Sequence, residues 1–398
     1  MRVLQVHNRY RSNVPSGENM VVDAEAVLLK QHGVEVLRHI RSSDEIDGMQ
    51  WSQKALVPLR PFHSPQDVRA IRQILQDKRP NVLHLHNPNP LISMAVVEAA
   101  ASAAVPVVMT SHNYRHTCVS GVFHRDGHVC HDCRGKSVPW PAVAHGCYRD
   151  SRLQSVVAVS ALMAHRSSYA RVACHIAVCS AMRDSLVAAG IAPDRIVIKP
   201  NSVPDPGPDV PPIDVAPTSR PRFLFVGRLA EQKGVRLALD AWCQHPVGSL
   251  GQLAFVGSGP LEPLVREVAA GRSDVQFLGQ LDPAGVAREM EAATVVLVPS
   301  LGEEAFGLVV IEAYARRRPV VSTGLGGLSD LLLPKTSWKV APSADAWAAQ
   351  LAAITLTEAA ARGECARARY ESTYDPDIVT SQLIEIYREL AGHDRRIL

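Results

Sequence analysis

Apolar and polar positions follow two periods along the chain, and the two periods alternate. Short apolar runs, typical of strands buried on both faces, are separated by segments in which apolar residues recur with a helical period. This β–α rhythm predicts a doubly wound parallel sheet in each half of the chain. The predicted strands of the first half are residues 2–7, 34–38, 82–86, 105–110, 176–178 and 196–199. Those of the second half are residues 223–226, 253–256, 275–278, 295–298 and 320–322.

The segments between these strands carry the helical pattern and are bounded by Gly, Pro and polar residues. A loop that contains Pro15 and Gly17 precedes the first helix, which we expect to end near His32. The other predicted helices are residues 66–77, 90–104, 152–171, 181–189, 308–317 and 378–390.

A proline-rich segment separates the two series of strands. Residues 200–221 contain eight prolines, which is typical of a linker between domains. A chain of 398 residues fits two domains of roughly 200 residues each. We therefore expect a first domain at residues 1–202 and a second at residues 203–377.

The composition restricts the class of protein. A hydrophobic content of 46%, a charged content of 20% and a net charge of +3 exclude a disordered acidic or polybasic chain. No segment approaches the roughly 20 apolar residues of a transmembrane helix. The N-terminus runs directly into a predicted strand, which predicts a cytoplasmic protein without a signal peptide. Its eight cysteines are then expected to be thiols or metal ligands.

Two glutamates follow the predicted strand 295–298. Glu304 lies in the loop after the strand, and Glu312 lies in the next helix. Ligands of open α/β sheets lie at the carboxyl ends of the strands, and a helix N-terminus there favours an anion such as phosphate. Carboxylates beside a phosphate accept hydrogen bonds well from sugar and ribose hydroxyls. The pair therefore indicates a ligand that carries both phosphate and hydroxyl groups.

Two cations follow the predicted strand 223–226 in the same way. Arg228 comes after a Gly turn, and Lys233 precedes Gly234 at the start of the next helix. Arg offers a planar fork of donors and Lys a movable point charge, a combination that suits a diphosphate. Either residue alone is typical of a surface cation, but together with the glutamate pair they indicate a diphosphate site.

These segments resemble the motifs of a known enzyme family. Residues 303–312 resemble the Glu-x7-Glu motif of retaining glycosyltransferases of the GT-B type, in particular glycosyltransferase family 4. Residues 223–234 are similar to the strand–Gly-Arg-Leu–x3–Lys-Gly signature of the same family. The resemblance implies an α/β, GT-B fold of two doubly wound Rossmann-like domains facing across a cleft. It also implies that the last helix, about residues 378–398, joins the first domain.

The resemblance assigns the second domain to the nucleotide-sugar donor. It implies that Arg228 and Lys233 stabilise the leaving diphosphate, that Glu304 binds hydroxyls of the transferred sugar and that Glu312 binds the ribose. Donor contacts are also implied for Gly227, Gly257, Gly259, Leu281, Phe306, Gly307 and Leu308. With two cations at the diphosphate and no clear Asp-x-Asp that would hold a divalent metal, no catalytic metal is expected.

The resemblance assigns the first domain to the acceptor. His112 follows the strand 105–110, where a family His lines the donor-sugar pocket, and it is implied as a catalytic residue. Asn87 ends a neighbouring strand and is an acceptor-side candidate. The loop at Gly17 resembles the glycine loop that faces the donor phosphate and the acceptor, although Ser16 replaces the first family glycine.

Four cysteines lie in the irregular segment 113–149, and two of them form a CxxC pair. Irregular structure of this length needs an organising feature, and four thiolates can bind structural zinc tetrahedrally. The segment resembles a Cys-rich insertion in a bacterial subgroup of family 4. Both structural zinc and four unligated thiols are compatible with the sequence, and nearby histidines are alternative ligands. The candidate zinc ligands are Cys118, Cys130, Cys133 and Cys147.

The implied function is transfer of a sugar from UDP-glucose, UDP-N-acetylglucosamine or GDP-mannose to an acceptor hydroxyl, with retention of configuration. The acceptor is a glycan, a lipid-linked saccharide or a natural product. One alternative is another GT-B sugar-nucleotide enzyme, such as an epimerase. A zinc-stabilised nucleic-acid-binding protein is the other, but the basic residues are spread along the chain, so no nucleic-acid partner is expected. The apolar run within residues 152–171, flanked by arginines, indicates either a packed helix or peripheral membrane contact.

Overall fold

A computed structural model describes residues 1–13 and 16–393 of the protein. Pro15 of the predicted first loop and residues 394–398 of the predicted last helix lie outside the described residues. The chain divides into two compact units. The first unit comprises residues 1–123, 131–201 and the C-terminal segment that starts at residue 376, and the second comprises residues 124–130 and 202–375.

The eleven predicted strands lie close to their predicted positions, and the structure adds short strands at residues 124–125, 128–129 and 337–339 that were not predicted. In chain order the strands are β1 (Arg2–Arg9), β2 (Glu35–Ser42), β3 (Val82–Leu85), β4 (Val107–Ser111), β5 (His124–Arg125), β6 (His128–Val129), β7 (Cys174–Ala177), β8 (Ile196–Ile198), β9 (Arg222–Val226), β10 (Gln252–Val256), β11 (Val275–Gly279), β12 (Val295–Val298), β13 (Val320–Ser322) and β14 (Ser337–Lys339).

The helices complete the alternation. The α-helices are α1 (Gly17–Gln31), α2 (Trp51–Leu56), α3 (Pro65–Lys78), α4 (Ala95–Ser102), α5 (Pro141–Ala144), α6 (Arg152–Ala164), α7 (Arg166–Arg171), α8 (Ser180–Ala188), α9 (Val235–Cys243), α10 (Glu262–Gly271), α11 (Pro283–Ala292), α12 (Leu308–Ala315), α13 (Leu328–Leu331), α14 (Ala344–Ala353), α15 (Leu356–Arg369) and α16 (Pro376–His393). Short 3-10 segments are Ser43–Ile46, Val57–Leu59, Pro193–Arg195 and Glu231–Lys233, and Tyr370–Tyr374 is a π-helical turn.

The first unit is built on a parallel sheet with strand order β2-β1-β3-β4-β7-β8. Its central strands β3 and β4 are buried along their whole length, because helices cover both faces of the sheet. Helix α16 packs into this unit through Leu383, Ile384 and Tyr387, which join one core cluster with Val3 and Val82. The C-terminal helix therefore completes the core of the first unit.

The second unit repeats the arrangement with strand order β11-β10-β9-β12-β13-β14, again parallel throughout. Its core contains Phe223 and Phe255 on neighbouring strands, with Trp242 on α9 and Trp347 on α14, all fully buried. The two sheets confirm the prediction of two doubly wound α/β domains.

Two helix predictions were wrong in their extent. The predicted helix 152–171 is interrupted at His165, which ends α6, and the His165 ring bonds the backbone oxygen of Pro61 at 2.9 Å. The predicted helix 90–104 begins only at Ala95. Before it, the backbone nitrogen of Leu91 donates to the side chain of Asn8 at 3.1 Å instead of entering a helix. In both places a tertiary hydrogen bond overrides the local helical pattern.

Candidate functional site

The loops after four neighbouring strands of the second unit meet at one edge of its sheet. Strands β10, β9, β12 and β13 are adjacent and parallel, so their carboxyl ends lie together. The loops are also joined directly, since the backbone nitrogen of Leu229 donates to Ser258, that of Leu301 donates to Gln232 and Thr323 donates to the backbone of Ser300. The predicted donor-side motifs therefore converge at this edge.

Glycines allow this close approach of the loops. A Cβ atom at Gly257 would lie 1.9 Å from the backbone oxygen of Gly227, and one at Gly234 would lie 1.9 Å from that of Pro299. Both glycines also have positive φ angles, of 135° and 71°. In the structure Gly257 brings the backbone close to the neighbouring loop, and its predicted contact with a ligand stays a prediction.

Lys233 and Glu304 meet in this loop cluster. The Nζ atom of Lys233 lies 2.5 Å from Oε1 of Glu304, and the Ser300 hydroxyl donates to the same oxygen at 2.6 Å. Burial acts to raise the pKa of Glu304, but the Lys233 charge and these hydrogen bonds lower it below its ordinary value. The structure therefore holds an ionised carboxylate and a cation in contact at the strand ends, and Ser300 is a partner that the sequence did not predict.

The backbone of Glu304 is held by the next loop. Its oxygen accepts from the backbone nitrogen of Gly327 at 2.7 Å, and Glu304 forms an isolated β-bridge with Gly326. A Cβ atom at Gly326 would lie 2.6 Å from that oxygen. The small residues of the 324–328 loop therefore fix the position of the carboxylate.

Glu312 lies on helix α12, which begins at Leu308 after Gly307. Gly307 has a φ of 104° and provides no side-chain cap, so the first amides of the helix have no capping side chain. Burial raises the pKa of Glu312, and the charge of Arg316 offsets part of this effect. An anion at the amino end of α12 is favoured by the lack of a capping side chain and by the helix dipole.

The remaining donor candidates lie around this edge in different environments. Arg228 is exposed at the end of β9, and within the described residues it forms no ion pair. Phe306 is buried and its ring packs edge-on against Tyr374, with ring centres 6.3 Å apart. Leu281 is half-buried just before the N-cap of α11. Gly259 would place a Cβ 2.5 Å from the backbone oxygen of Leu229.

Polar side chains also gather at the carboxyl ends of strands β1, β3 and β4 in the first unit, which are adjacent and parallel. His86 and Asn87 follow β3, and His112 and Asn113 follow β4. His86, His112 and Asn113 line a small open pocket. Asn87 also lines this pocket, and it holds its own loop, because it donates to the backbone of Asn8 at 3.1 Å and accepts from that of Asn89 at 3.0 Å.

Glu18 is the centre of a second polar group in this unit. The hydroxyl of Tyr10 and the amide of Asn113 each donate to its Oε2 atom at 3.2 Å, and Arg115 donates to the Tyr10 hydroxyl at 3.0 Å. The Glu18 side chain is only 8% exposed, and burial raises its pKa to about 7 although Arg115 opposes the shift. Gly17 is the first residue of α1 rather than a loop residue, which presents Glu18 from the first turn.

His112 belongs to a buried network that the sequence did not predict. Its Nε2 atom lies 3.0 Å from Nδ1 of His86, and the two rings stack. Nε2 of His86 lies 3.3 Å from the Glu25 carboxylate, which is also 3.1 Å from Nδ1 of His84. Since His84 on β3 and His86 just after it are two positions apart in extended backbone, they share a face, a signal that sequence inspection can find.

Glu25, His84 and His86 form a group whose ligand atoms lie within 4.8 Å of one another, the arrangement of a potential metal site. Protein partners already occupy the ring nitrogens. His84 contacts the Tyr387 hydroxyl at 2.6 Å and Thr110 at 2.8 Å, and His86 contacts His112. The lone pairs that a metal needs are engaged in hydrogen bonds, so we interpret the group as a hydrogen-bonded network.

Two of the four candidate zinc ligands, Cys133 and Cys147, pack against a small apolar cluster around Val119 and Val159. The sulfur of Cys118 contacts the Ser120 hydroxyl at 3.1 Å, and that of Cys133 lies 3.8 Å from the backbone oxygen of Pro139. Throughout residues 1–13 and 16–393, no three of these sulfur atoms lie within 4.8 Å of one another. Zinc binding by Cys118, Cys130, Cys133 and Cys147 therefore stays a prediction.

Two family profiles match the chain. The profile described as "Glycosyl transferase 4-like domain" matches residues 16–202, and the profile described as "Glycosyl transferases group 1" matches residues 220–356. The sequence is 29% identical over 350 residues to phosphatidyl-myo-inositol mannosyltransferase from Mycobacterium leprae. This match covers 84% of this chain and 80% of that protein. Matches to the enzymes of the same name from Mycolicibacterium smegmatis and Mycobacterium tuberculosis span about half of those proteins, 49% and 51%.

Two solved structures share the fold over the whole chain. Sucrose-phosphate synthase from Thermosynechococcus elongatus superposes with a TM-score of 0.70 at 20% identity, covering 98% of this chain and 99% of that one. HepE from Anabaena, crystallised with UDP, superposes with a TM-score of 0.65 at 18% identity, covering 98% and 100%.

Proposed function

The chain belongs to the family-4 type of GT-B glycosyltransferases, and from this premise we propose that it transfers a sugar from a nucleoside-diphosphate sugar to an acceptor hydroxyl with retention of configuration. The observation that carries the proposal is the Lys233–Glu304 pair at the strand ends of the second unit, close in sequence to the uncapped helix α12. A cation and free helix amides suit a diphosphate, and a carboxylate suits hydroxyl groups.

In the proposed reaction, cleavage of the anomeric C–O bond leaves negative charge on the diphosphate. Arg228, Lys233 and the amino end of α12 stabilise that charge electrostatically. Glu304 accepts hydrogen bonds from the transferred sugar, and Glu312 does so from the ribose. The acceptor oxygen forms the new bond on the face of the leaving group, and its proton passes to the leaving phosphate, so no protein nucleophile is required.

The first unit is proposed to bind the acceptor and to contribute His112 to the transferred sugar. The polar strand ends around His112, Asn113 and Glu18 support this assignment, because their donors and acceptors suit a hydroxylated ligand. The relatives support two donor classes. The mycobacterial relatives are named as mannosyltransferases, which favours GDP-mannose, and the HepE complex with UDP favours UDP-glucose or UDP-N-acetylglucosamine.

The donor proposal is tested by the melting temperature with UDP, GDP, ADP and dTDP. A nucleotide that binds only the folded protein stabilises it by about 2.7 kcal/mol at 100 times its dissociation constant. We expect a shift with one nucleotide in the wild type and none in Glu312→Ala. No shift with any nucleotide, or an equal shift in the variant, would contradict the proposed donor site.

Product analysis then separates transfer from the alternative reaction. With the matching nucleotide sugar, a transferase releases nucleotide in proportion to glycosylated acceptor. A GT-B epimerase would instead change the sugar nucleotide, or release nucleotide, without any acceptor product.

We also propose that the first unit contacts a membrane that holds a lipid-linked acceptor. Leu153 and Val156 on α6 are 76% and 42% exposed, and Trp140, at the start of the adjoining α5, is 61% exposed. Arg152 is also exposed on α6 and suits anionic lipid. Among the helices of residues 1–13 and 16–393, none has the length and apolar character that a bilayer crossing requires.

Sedimentation with anionic liposomes tests this contact. We expect the wild-type protein to pellet with the vesicles and Leu153→Glu to remain in the supernatant. Val187→Glu, which charges an exposed apolar position on α8, is the matched control and should pellet like the wild type. Equal sedimentation of all three proteins would show that α6 does not contact the membrane.

A further inference from the structure

Three side chains in the core of the first unit form a line that ends at the proposed sugar-binding histidine. Glu25 lies on α1, His86 follows β3 and His112 follows β4. The Glu25 carboxylate lies 3.3 Å from Nε2 of His86, and Nδ1 of His86 lies 3.0 Å from Nε2 of His112. Glu25 and His86 are buried, whereas His112 is partly exposed and lines the open pocket.

The hydrogen-bond donors and acceptors around these three side chains determine which nitrogen of each ring is protonated. Burial acts to raise the pKa of Glu25, but the attraction of His84 and the hydrogen bonds from His84 and His86 hold it well below its ordinary value, so the carboxylate only accepts. The amide nitrogen of Gln5 lies 3.1 Å from the backbone oxygen of Val22, 3.4 Å from Glu25 and 3.5 Å from Nε2 of His86, so we assign its two hydrogens to the two nearer oxygens. Nε2 of His86 therefore carries a hydrogen, and it donates a hydrogen bond to the Glu25 carboxylate.

The protonation of His86 determines that of His112. A neutral imidazole with a proton on Nε2 has a lone pair on Nδ1, so Nδ1 of His86 accepts a hydrogen bond. The donor is Nε2–H of His112, at 3.0 Å. The remaining ring nitrogen of His112, Nδ1, then has a lone pair and no proton.

We propose that Glu25 and His86 are positioning residues that hold His112 as the Nε2–H tautomer, so that Nδ1 of His112 accepts a hydrogen bond from a hydroxyl of the bound sugar. The identity of that ligand rests on the proposed function, whereas the tautomer does not. A neutral acceptor at this point selects a ligand hydroxyl and disfavours a carbonyl or phosphate oxygen, which has no proton to donate.

The surroundings keep both imidazoles neutral. Burial lowers the pKa of His86 to about 4 and holds that of His112 well below its ordinary value. The other titratable groups that act on these two rings are His7 from β1, His84 from β3 and Lys199 after β8, which lower the pKa of the rings, and Glu25, which opposes them. Because the rings are neutral at neutral pH, the network controls which tautomer His112 adopts and not its charge.

The imidazole nitrogens of His112 report the proposal directly. In protein labelled with ¹⁵N at histidine, signals of His112 are assigned by their loss in His112→Gln. We expect wild-type His112 to carry its proton on Nε2 only, with Nδ1 at the ¹⁵N chemical shift of an unprotonated imidazole nitrogen. In His86→Phe, which keeps a ring but removes the acceptor, the two nitrogen signals should move toward each other as the tautomers exchange. Tyr387→Phe removes a buried hydroxyl that contacts His84 and not His86, and it should leave the His112 signals unchanged.

Activity provides a second readout. Glu25→Gln and His86→Phe should lower kcat/KM by about tenfold, the scale of one hydrogen bond between neutral groups. His86→Asn retains an amide oxygen near the position of Nδ1 and should recover part of that loss. Melting curves establish that each variant is folded.

The outcomes distinguish this proposal from its competitors. A proton on Nδ1 of wild-type His112, or unchanged His112 signals in His86→Phe, would overturn it. Stoichiometric metal in the purified protein that is lost in His86→Phe would assign Glu25, His84 and His86 to a metal site instead. The nuclear magnetic resonance measurement uses neither donor nor acceptor, so failure of the nucleotide melting experiment alone would overturn the proposed function and leave the tautomer assignment intact.

Discussion

At the scale of single residues, the contact between Lys233 and Glu304 joins two roles that the sequence assigned separately. Glu304 was predicted to bind sugar hydroxyls and Lys233 to bind diphosphate, and the structure places their charged atoms 2.5 Å apart. The Lys233 side chain is 34% exposed, so the pair contributes little to stability beyond the desolvated carboxylate. The contact instead keeps the Glu304 carboxylate ionised and oriented, as a binding site requires.

Neutralising Glu304 tests this role. We expect Glu304→Gln, which keeps its shape and its hydrogen-bonding capacity toward Ser300, to lower kcat/KM by about 10²-fold or more. Glu262→Gln removes a carboxylate from the exposed pair with Arg266 and is the control, with an expected change of less than about twofold. Steady-state kinetics of both variants with the donor identified by melting provides the measurement, and near-normal turnover in Glu304→Gln would exclude Glu304 from the site.

Glu18 is expected to make stability depend on pH. Its folded-state pKa of about 7 lies above the ordinary value of 4.5, so the folded state holds the proton more tightly. The stabilisation is complete below pH 4.5 and is lost as the pH rises through 7, a change on the order of 3 kcal/mol. Denaturant unfolding of the wild type and Glu18→Gln between pH 5 and pH 8 measures it.

The wild type should lose stability relative to Glu18→Gln across this pH range. The exposed carboxylate of Glu35, which pairs with Arg2, provides the control variant Glu35→Gln, which measures the effect of removing a surface charge from the same unit. A difference between the wild type and Glu18→Gln that stays constant with pH would show that Glu18 is ionised in the folded protein.

At the scale of elements, the strand-end loops of the second unit are held by backbone contacts that exclude side chains. Gly234 and Gly257 each approach a neighbouring backbone oxygen so closely that a Cβ would overlap it. The loops therefore stabilise one another, and the position of Lys233 depends on loops that belong to other strands.

A single methyl group at this contact should be costly. We expect Gly257→Ala to lower the free energy of unfolding by about 2–3 kcal/mol, because the Cβ would lie 1.9 Å from the Gly227 oxygen and the backbone has a φ of 135°. Gly271→Ala at the end of α10 meets no atom within 4 Å and should be neutral or slightly stabilising. Denaturant unfolding curves compare the two variants, and equal stability would mean that the loop relaxes at no cost.

At the scale of the whole molecule, the first unit is assembled from distant parts of the chain. Helix α16 begins at Pro376, yet Leu383 and Tyr387 pack with residues of β1 and β3. The hydroxyl of Tyr387 also contacts His84, which links the C-terminal helix to the buried histidines. The core of this unit is therefore incomplete without the last helix.

Truncating a core side chain of α16 tests this dependence. Leu383 is 1% exposed, and Leu383→Ala should lower the free energy of unfolding by about 2–5 kcal/mol. Glu385 is exposed on the same helix, so Glu385→Ala should change stability by less than about 0.5 kcal/mol. Equal melting of both variants would show that the helix contributes nothing to the core.

The sequence alone determined the class of fold, the strands and the donor-side motifs. Burial of a parallel sheet on both faces requires continuous apolar runs, and such runs are local in the chain, so β9 and β12 were predicted within a residue or two of their bounds. The positions of Arg228, Lys233 and Glu304 were readable because each follows a strand directly in the sequence.

Only the tertiary structure decided which side chains meet. The interruption of a helix at His165, the Ser300 hydroxyl on Glu304 and the line from Glu25 to His112 all depend on contacts between residues far apart in the chain. Local patterns of polarity do not encode such pairings, because a buried polar atom is satisfied by whichever partner the packing brings to it. The network behind His112 therefore became visible only when the strands were placed side by side.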